Sequence, residues 1–185
     1  MVHSYRVTLS GIKGFYRVYR VCGSHSLYTF HKQLRSDLEF PIDQPILFKA
    51  FDKNGDVVAR YALTDLGQGT VDHVSIDDTI KAGVASFVYF YDIQSRKSVN
   101  ITLEGSEPGS VSSPVIVDSK GPNPIEFENG YVAFEDLPDD KRRLPGSPSE
   151  SEDDEDDDEE FDDEDEDDED EDDEDGEEIL VEDEL

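Results

Sequence analysis

The chain has no tryptophan, one cysteine (Cys22) and one methionine in 185 residues. A single thiol excludes an internal disulfide and cannot by itself build a thiolate metal site, a pattern that suits a reducing cytoplasm. No run approaches the ~18 apolar residues that a membrane-spanning helix needs, so no membrane partner is expected. The opening stretch, MVHSYRVTLSGIKGFYRVYR, lacks the uninterrupted apolar core of a secretory leader. Histidine is sparse, and His3, His25, His31 and His73 show no paired ligand spacing. Neither a metal nor any other cofactor is therefore expected. The phosphate cradles G-x-x-x-x-G-K-[ST] and G-x-G-x-x-G are both missing, which removes the usual nucleotide-binding signatures.

Positive charge is scarce where negative charge abounds. Of 48 acidic residues, 29 fall in positions 149–185, which hold no Lys or Arg; residues 1–148 keep 19 acids against all 16 bases. The net charge of −32 is thus a property of the tail, and the body before it is nearly neutral. Carboxylates this dense repel one another within the ~8 Å Debye length and leave too little apolar surface to bury, so residues 149–185 are expected to be disordered. Such a segment repels nucleic acid, attracts basic proteins and keeps its carrier soluble. One interruption, Ile179-Leu180-Val181, is a candidate docking motif. Residues 137–148 read as a linker. The body, 1–136, divides into a core over 4–105 and a Pro/Gly-rich extension over 106–136, whose Val115, Ile116, Val117, Ile125, Phe127, Tyr131, Val132 and Phe134 are expected to pack along it.

Within the core, Val7–Leu9 and Phe15–Val21 flank the glycines of SGIKG and read as an opening hairpin. Ser24 or Ser26 caps a helix in which Leu27, Phe30, Leu34 and Leu38 recur at spacings of three and four, closed by Pro41. ILFKAF and VVARYAL flank an Asn-Gly pair, the chemistry of a tight hairpin turn with positive φ at both central positions. SIDDTIKAG offers a Ser cap, early aspartates and a closing glycine. SFVYFYDI and SVNITLEG form a last strand pair. The order β-β-α-β-β-α-β-β predicts an α+β fold, grasp-like, with a mainly antiparallel sheet and helices on one face.

Four strings carry a resemblance: VTLSGIKGFYRVYRV, SLYTFHKQLRSDLEF, FVYFYDIQSRKSVNITLEG and PVIVDSKGPNPIEFENG. Over residues 4–134 they resemble the Ri-plasmid Orf-three-like family, also described as transposon-passenger resolvase-like. The resemblance implies the same α+β fold and a link to mobile-element or nucleic-acid processes. Where the family carries acidic residues, a Trp and a His after its Tyr-Asp pair, this chain has Gln94 to Val99. The resolvase-like label is not transferred, because a fold does not fix a function.

Candidate chemistry is thin. Ser10 beside Gly11 reads as a turn, and Asp77 with Asp78 as the first turn of a helix, so no catalytic residue is assigned. Asp92 reads as a turn residue accepting backbone N–H bonds. Cys22 reads as a small hydrophobe. Arg17 and Arg20 alternate with Tyr16 and Tyr19, a pattern for stacking and charge on single strands, although their odd spacing sends them to opposite faces of a regular strand. With Arg96 and Lys97 they are the candidate nucleic-acid or partner contacts, and nucleic acid is expected to reach the body only. The functional expectation is a non-enzymatic cytoplasmic interaction protein whose tail binds basic proteins or aids solubility. Two alternatives accompany it: a nuclear acidic chaperone of histone type, and a nucleic-acid-processing enzyme with a site near Asp92.

Overall fold

Strands form where β-branched and aromatic residues alternate with polar ones. In the computed structural model, which describes residues 1–138 and 141, seven such segments appear: β1 (Val2–Thr8), β2 (Tyr16–Cys22), β3 (Leu47–Phe51), β4 (Val57–Ala62), β5 (Ser86–Asp92), β6 (Lys97–Glu107) and β7 (Val115–Lys120). They build one sheet in the order β4-β3-β5-β6-β1-β2-β7, with every neighbouring pair antiparallel. Helices α1 (Leu27–Leu38), α2 (Ile76–Lys81) and α3 (Pro124–Glu128) complete the α+β fold. The expectations placed on most of the linker, the tail 149–185 and Ile179-Leu180-Val181 lie outside the described residues.

The register sorts side chains into two faces. Directly opposed residues share a face, and Tyr5 lies opposite Tyr19 and Leu103, Val7 opposite Ile101, Ile101 opposite Phe87, and Phe87 opposite Ala50. These, with Phe48, Tyr61, Tyr89 and Val99, form the buried core under α1, with Leu103 partly buried against it. The apolar stripe of α1 explains the seal: Leu27, Phe30, Leu34 and Leu38 are fully buried, and Phe30 meets Tyr5 and Tyr19 at ring centroids of 5.7 and 5.5 Å. Ser26 caps this helix by accepting from Thr29 N–H (3.2 Å), and Glu39 ends it in the left-handed region at φ 59°. Helix α2 starts in a capping box of Ser75 and Asp78, and buries Ile76 and Thr79.

Two local expectations change. In the β3–β4 turn only Gly55 takes positive φ (89°); Asn54 does not, because the Asp52 carboxylate accepts from the N–H groups of Asn54 and Asp56 (2.8 and 2.9 Å) and a register shift follows Ala50. The extension after Gly105 is also more regular than expected. It supplies β7 on the free edge of β2, then α3, whose Phe127 packs edge-on to Phe15 (6.1 Å). Gly14 makes room for its far end, since a side chain there would collide with Ala133. Ile116 and Phe127 pack on the core, but Val115, Val117, Ile125, Tyr131, Val132 and Phe134 are 44–56% exposed.

Candidate functional site

The four cations singled out from the sequence do not converge. Arg17 lies opposite Val7, on the covered face, and is 8% exposed. Its guanidinium donates to the carbonyls of Tyr16 (2.9 Å), Lys120 (2.7 Å) and Gly121 (2.9 Å) and to Asn123 Oδ1 (3.0 Å). Burial lowers its pKa, and four acceptors keep the charge satisfied. Arg17 therefore clamps β7 to β2 and is not a partner contact. Arg20 points to the opposite face, as its parity requires, and pairs with Glu107. Arg96 occupies the β5–β6 turn at φ 56°, and Lys97 pairs with Glu128 at 2.6 Å.

Asp92 accepts from Ser95 N–H at 3.0 Å, and that bond holds its carboxyl below the usual range. It lines a pocket of about 80 Å³ with Phe40, Tyr91, Lys97 and Glu128. Tyr91 donates to Glu128 at 3.0 Å, and Phe40 stacks on Tyr91 at 3.8 Å. This volume is well below the ~300–1,000 Å³ of ordinary ligand sites. The residues around Asp92 form a turn and an ion pair, and the Glu39 side chain is a further acid on the pocket lining.

A larger opening runs between α1 and the loop 41–46. Two overlapping pockets of about 560 Å³ each share Tyr28, His31, Arg35 and Ile42; Lys32, Ser36, Glu39 and Phe40 line one, and Asp43, Pro45, Ile46 and Leu63 the other. Helical spacing puts Tyr28, His31, Lys32 and Arg35 along one side of α1. His31 is 3% exposed, and its Nδ1 shares a 2.7 Å hydrogen bond with the Tyr89 hydroxyl. Burial, reinforced by Arg35 and Lys32, pushes its pKa down to about 4, so the ring is neutral at neutral pH. Arg35 donates through Nη2 to Gln44 O (3.2 Å), while its Nε is buried without a hydrogen-bond partner. No carboxylate of the described residues lies within ion-pair distance of Lys32 or Arg35. Ile42 is 79% exposed at the mouth. Of these residues the sequence drew notice only to His31, as a histidine without paired ligand spacing; the signal for the rest was a polar stripe beside the apolar one on α1, followed by a loop with two prolines.

The face of the sheet turned away from α1 holds the second unforeseen feature. The register aligns Arg60, Lys49, Val88, Asn100, Thr8, Tyr16 and Lys120 in one row across all seven strands. Lys49 and Arg60 stand directly opposite each other, a like-charge pair that costs stability, and neither has a carboxylate partner among the described residues. Phe51 lies beside Lys49, whose Nζ sits 5.1 Å from the ring, and Arg6 lies over Tyr16 at 4.5 Å.

Elsewhere, polar groups serve the fold. Ser10 sits in a turn with Gly11 at φ 75°. His3 is buried between Ser106 Oγ (2.7 Å at Nδ1) and Asp77 Oδ1 (2.9 Å at Nε2), which ties β1 to β6 and α2. The open pockets around α1 do not include this trio. Cys22 Sγ lies 3.3 Å from Ser24 Oγ, whose hydrogen bond lowers the thiol pKa. No group of three His, Cys, Asp or Glu suited to a metal occurs among the described residues, and no helix there is long and apolar enough to cross a membrane.

No protein-family model matches the chain, and no curated protein does. Among solved structures, a Methanosarcina mazei Go1 protein of unknown function superimposes with a TM-score of 0.53 at 15% identity, covering 64% of this chain and 68% of that one. A likeness at that identity shows the fold alone.

Proposed function

We propose that this chain is a non-enzymatic cytoplasmic interaction protein that engages basic proteins through residues 149–185, with the α+β body as its folded carrier. The observation behind this reading is charge segregation: 29 carboxylates in the last 37 positions and no cation among them. A charge density of that kind attracts basic surfaces over a Debye length and needs no fixed geometry. On immobilised basic protein, the full chain is retained at low salt and released steeply as salt rises, and a variant lacking 149–185 flows through. Retention of the truncated variant would remove the reading. Preferential retention on core histones over other basic proteins would move it to the histone-chaperone alternative. Membership of the Orf-three-like family, with its mobile-element associations, belongs to the same proposal.

A second reading places single-stranded nucleic acid on the exposed sheet face. It rests on the uncompensated Lys49–Arg60 pair with Phe51 beside it, a combination of charge and ring faces that suits phosphates and stacked bases. The acidic segment would oppose such binding, so the truncated chain shifts labelled single strands more strongly than the full chain. The absence of a shift with either form excludes it.

A further inference from the structure

We propose that the groove between α1 and the loop 41–46 binds a small apolar carboxylic acid, its carboxylate held by Lys32 and Arg35 and its hydrocarbon part lying against Phe40, Ile42 and Ile46. The size of the opening, about 560 Å³, falls in the range of small-ligand sites. Most of its apolar residues are supplied by the segment 40–46, where Pro41 and Pro45 restrict the backbone and Ile42 stays 79% exposed. An isoleucine so exposed beside a cavity has apolar area to cover.

The charge pattern selects the other end of the ligand. Lys32 and Arg35 sit one helical turn apart on α1 and lack a carboxylate partner among the described residues, although Glu39 and Asp43 also line the groove. Arg35 has one guanidinium nitrogen tied to Gln44 O and a buried Nε with no partner. A buried donor left unmatched favours an incoming acceptor, and the flat guanidinium suits a carboxylate. Lys32 Nζ lies 5.4 Å from the Tyr28 ring, which directs the ammonium along the same side of the helix. At the base, the His31–Tyr89 hydrogen bond satisfies both of its partners without adding charge. The occupant is thus a singly charged acid with a short apolar body, such as a medium-chain fatty acid. This inference is independent of the tail and of the sheet face.

The test is a competition on the full-length chain with 1-anilinonaphthalene-8-sulfonate as the reporter; with no tryptophan in the chain, dye emission is read against little protein background. Decanoate displaces the dye, and decanol, matched in chain length but uncharged, is at least tenfold weaker. Lys32→Glu, at an exposed helix position, weakens decanoate at least tenfold and leaves decanol unchanged; Arg35→Gln does the same more mildly. Ile42→Asp weakens both ligands. Circular dichroism confirms that each variant is folded. Equal affinity for decanoate and decanol, or decanoate binding untouched by Lys32→Glu and Arg35→Gln together, would overturn the proposal. Displacement by a leucine-ending peptide but not by decanoate would also overturn it, in favour of a peptide groove.

Discussion

The two faces of the sheet are made by the same seven strands, yet they differ in everything that decides stability and binding. On the covered face the side chains under α1 are aromatic and aliphatic, and the buried cation there, Arg17, has four hydrogen-bond acceptors. On the exposed face cations stand beside rings, and two of them oppose each other without a counter-charge among the described residues. A shift of one position along a strand moves a residue from one regime to the other. The covered face stores the free energy of folding, while the exposed face tolerates electrostatic frustration because water screens it.

The largest effect separates Phe87 from Phe90, three positions apart on β5 and on opposite faces. Phe87 is 1% exposed and packs on Phe48 at 5.8 Å. Phe87→Ala is expected to cost about 3–5 kcal/mol in urea unfolding through lost burial and a cavity, and Phe90→Ala about 1 kcal/mol or less. Equal losses would break the comparison, since Phe90 would then be covered too.

The second contrast sets Arg17 against Arg20. Removing Arg17 leaves three carbonyls and Asn123 without their donor, so Arg17→Ala is expected to lose about 3 kcal/mol and to free β7 from the sheet, seen as fast amide exchange over 115–120. Arg17→Lys rescues only part of this, because an ammonium cannot span four acceptors in a plane. Arg20→Ala, which removes one half-exposed pair with Glu107, costs under about 1 kcal/mol.

The third concerns pH and the covered side alone. His31 protonates near 4 in the folded chain and near 6.5 when unfolded. Between those values the unfolded state binds the extra proton, so the neutral buried ring gives full stability above pH 6.5. That stability is lost progressively as pH falls to 4, and not further below. Allowing for solvent that reaches the groove, the loss is about 2 kcal/mol. It is measured as the difference between the wild-type chain and His31→Gln in unfolding at pH 7 and pH 4.5. An unchanged difference would show that the ring is already solvated.

How much of this was legible differs by distance along the chain. The α+β class, the α1 stripe Leu27-Phe30-Leu34-Leu38 and the caps at Ser26 and Ser75 are local patterns, and all can be read from a few neighbouring residues. The opposite facing of Arg17 and Arg20 follows from period two, as does the turn role of Asp92 from its Asx chemistry. The destination of Arg17 is not local: three of its four acceptors lie about a hundred positions away, in a segment whose prolines and glycines conceal a strand. Strand β7 was missed for the same reason, since edge pairing depends on the free side of β2 rather than on the six residues themselves. The groove was hidden because cavities arise from how a helix and a loop diverge. The Lys49–Arg60 opposition, by contrast, was within reach: pairing across the Asn54-Gly55 turn already sets 49 against 60.

That pair gives the smallest predicted energy and the sharpest test of what distinguishes the faces. Lys49→Glu replaces a like-charge pair with a cross-strand ion pair between the new carboxylate and Arg60, and is expected to stabilise the fold by about 0.5–1 kcal/mol. If the exposed face takes single-stranded nucleic acid, the same substitution weakens binding by the truncated chain several-fold at low salt, because it removes one phosphate contact and adds a repelling charge. Stability and binding then move in opposite directions from one substitution, which is the signature of a surface held in a frustrated state for a ligand. Should Lys49→Glu leave stability unchanged and binding intact, the two cations are solvated independently and the row across the sheet has no role in recognition. Acid placed one residue on, at the fully buried Ala50, has no such choice: the residues directly opposite it are Ala59 and Phe87, neither a counter-charge, and the chain loses its fold before any binding can be measured.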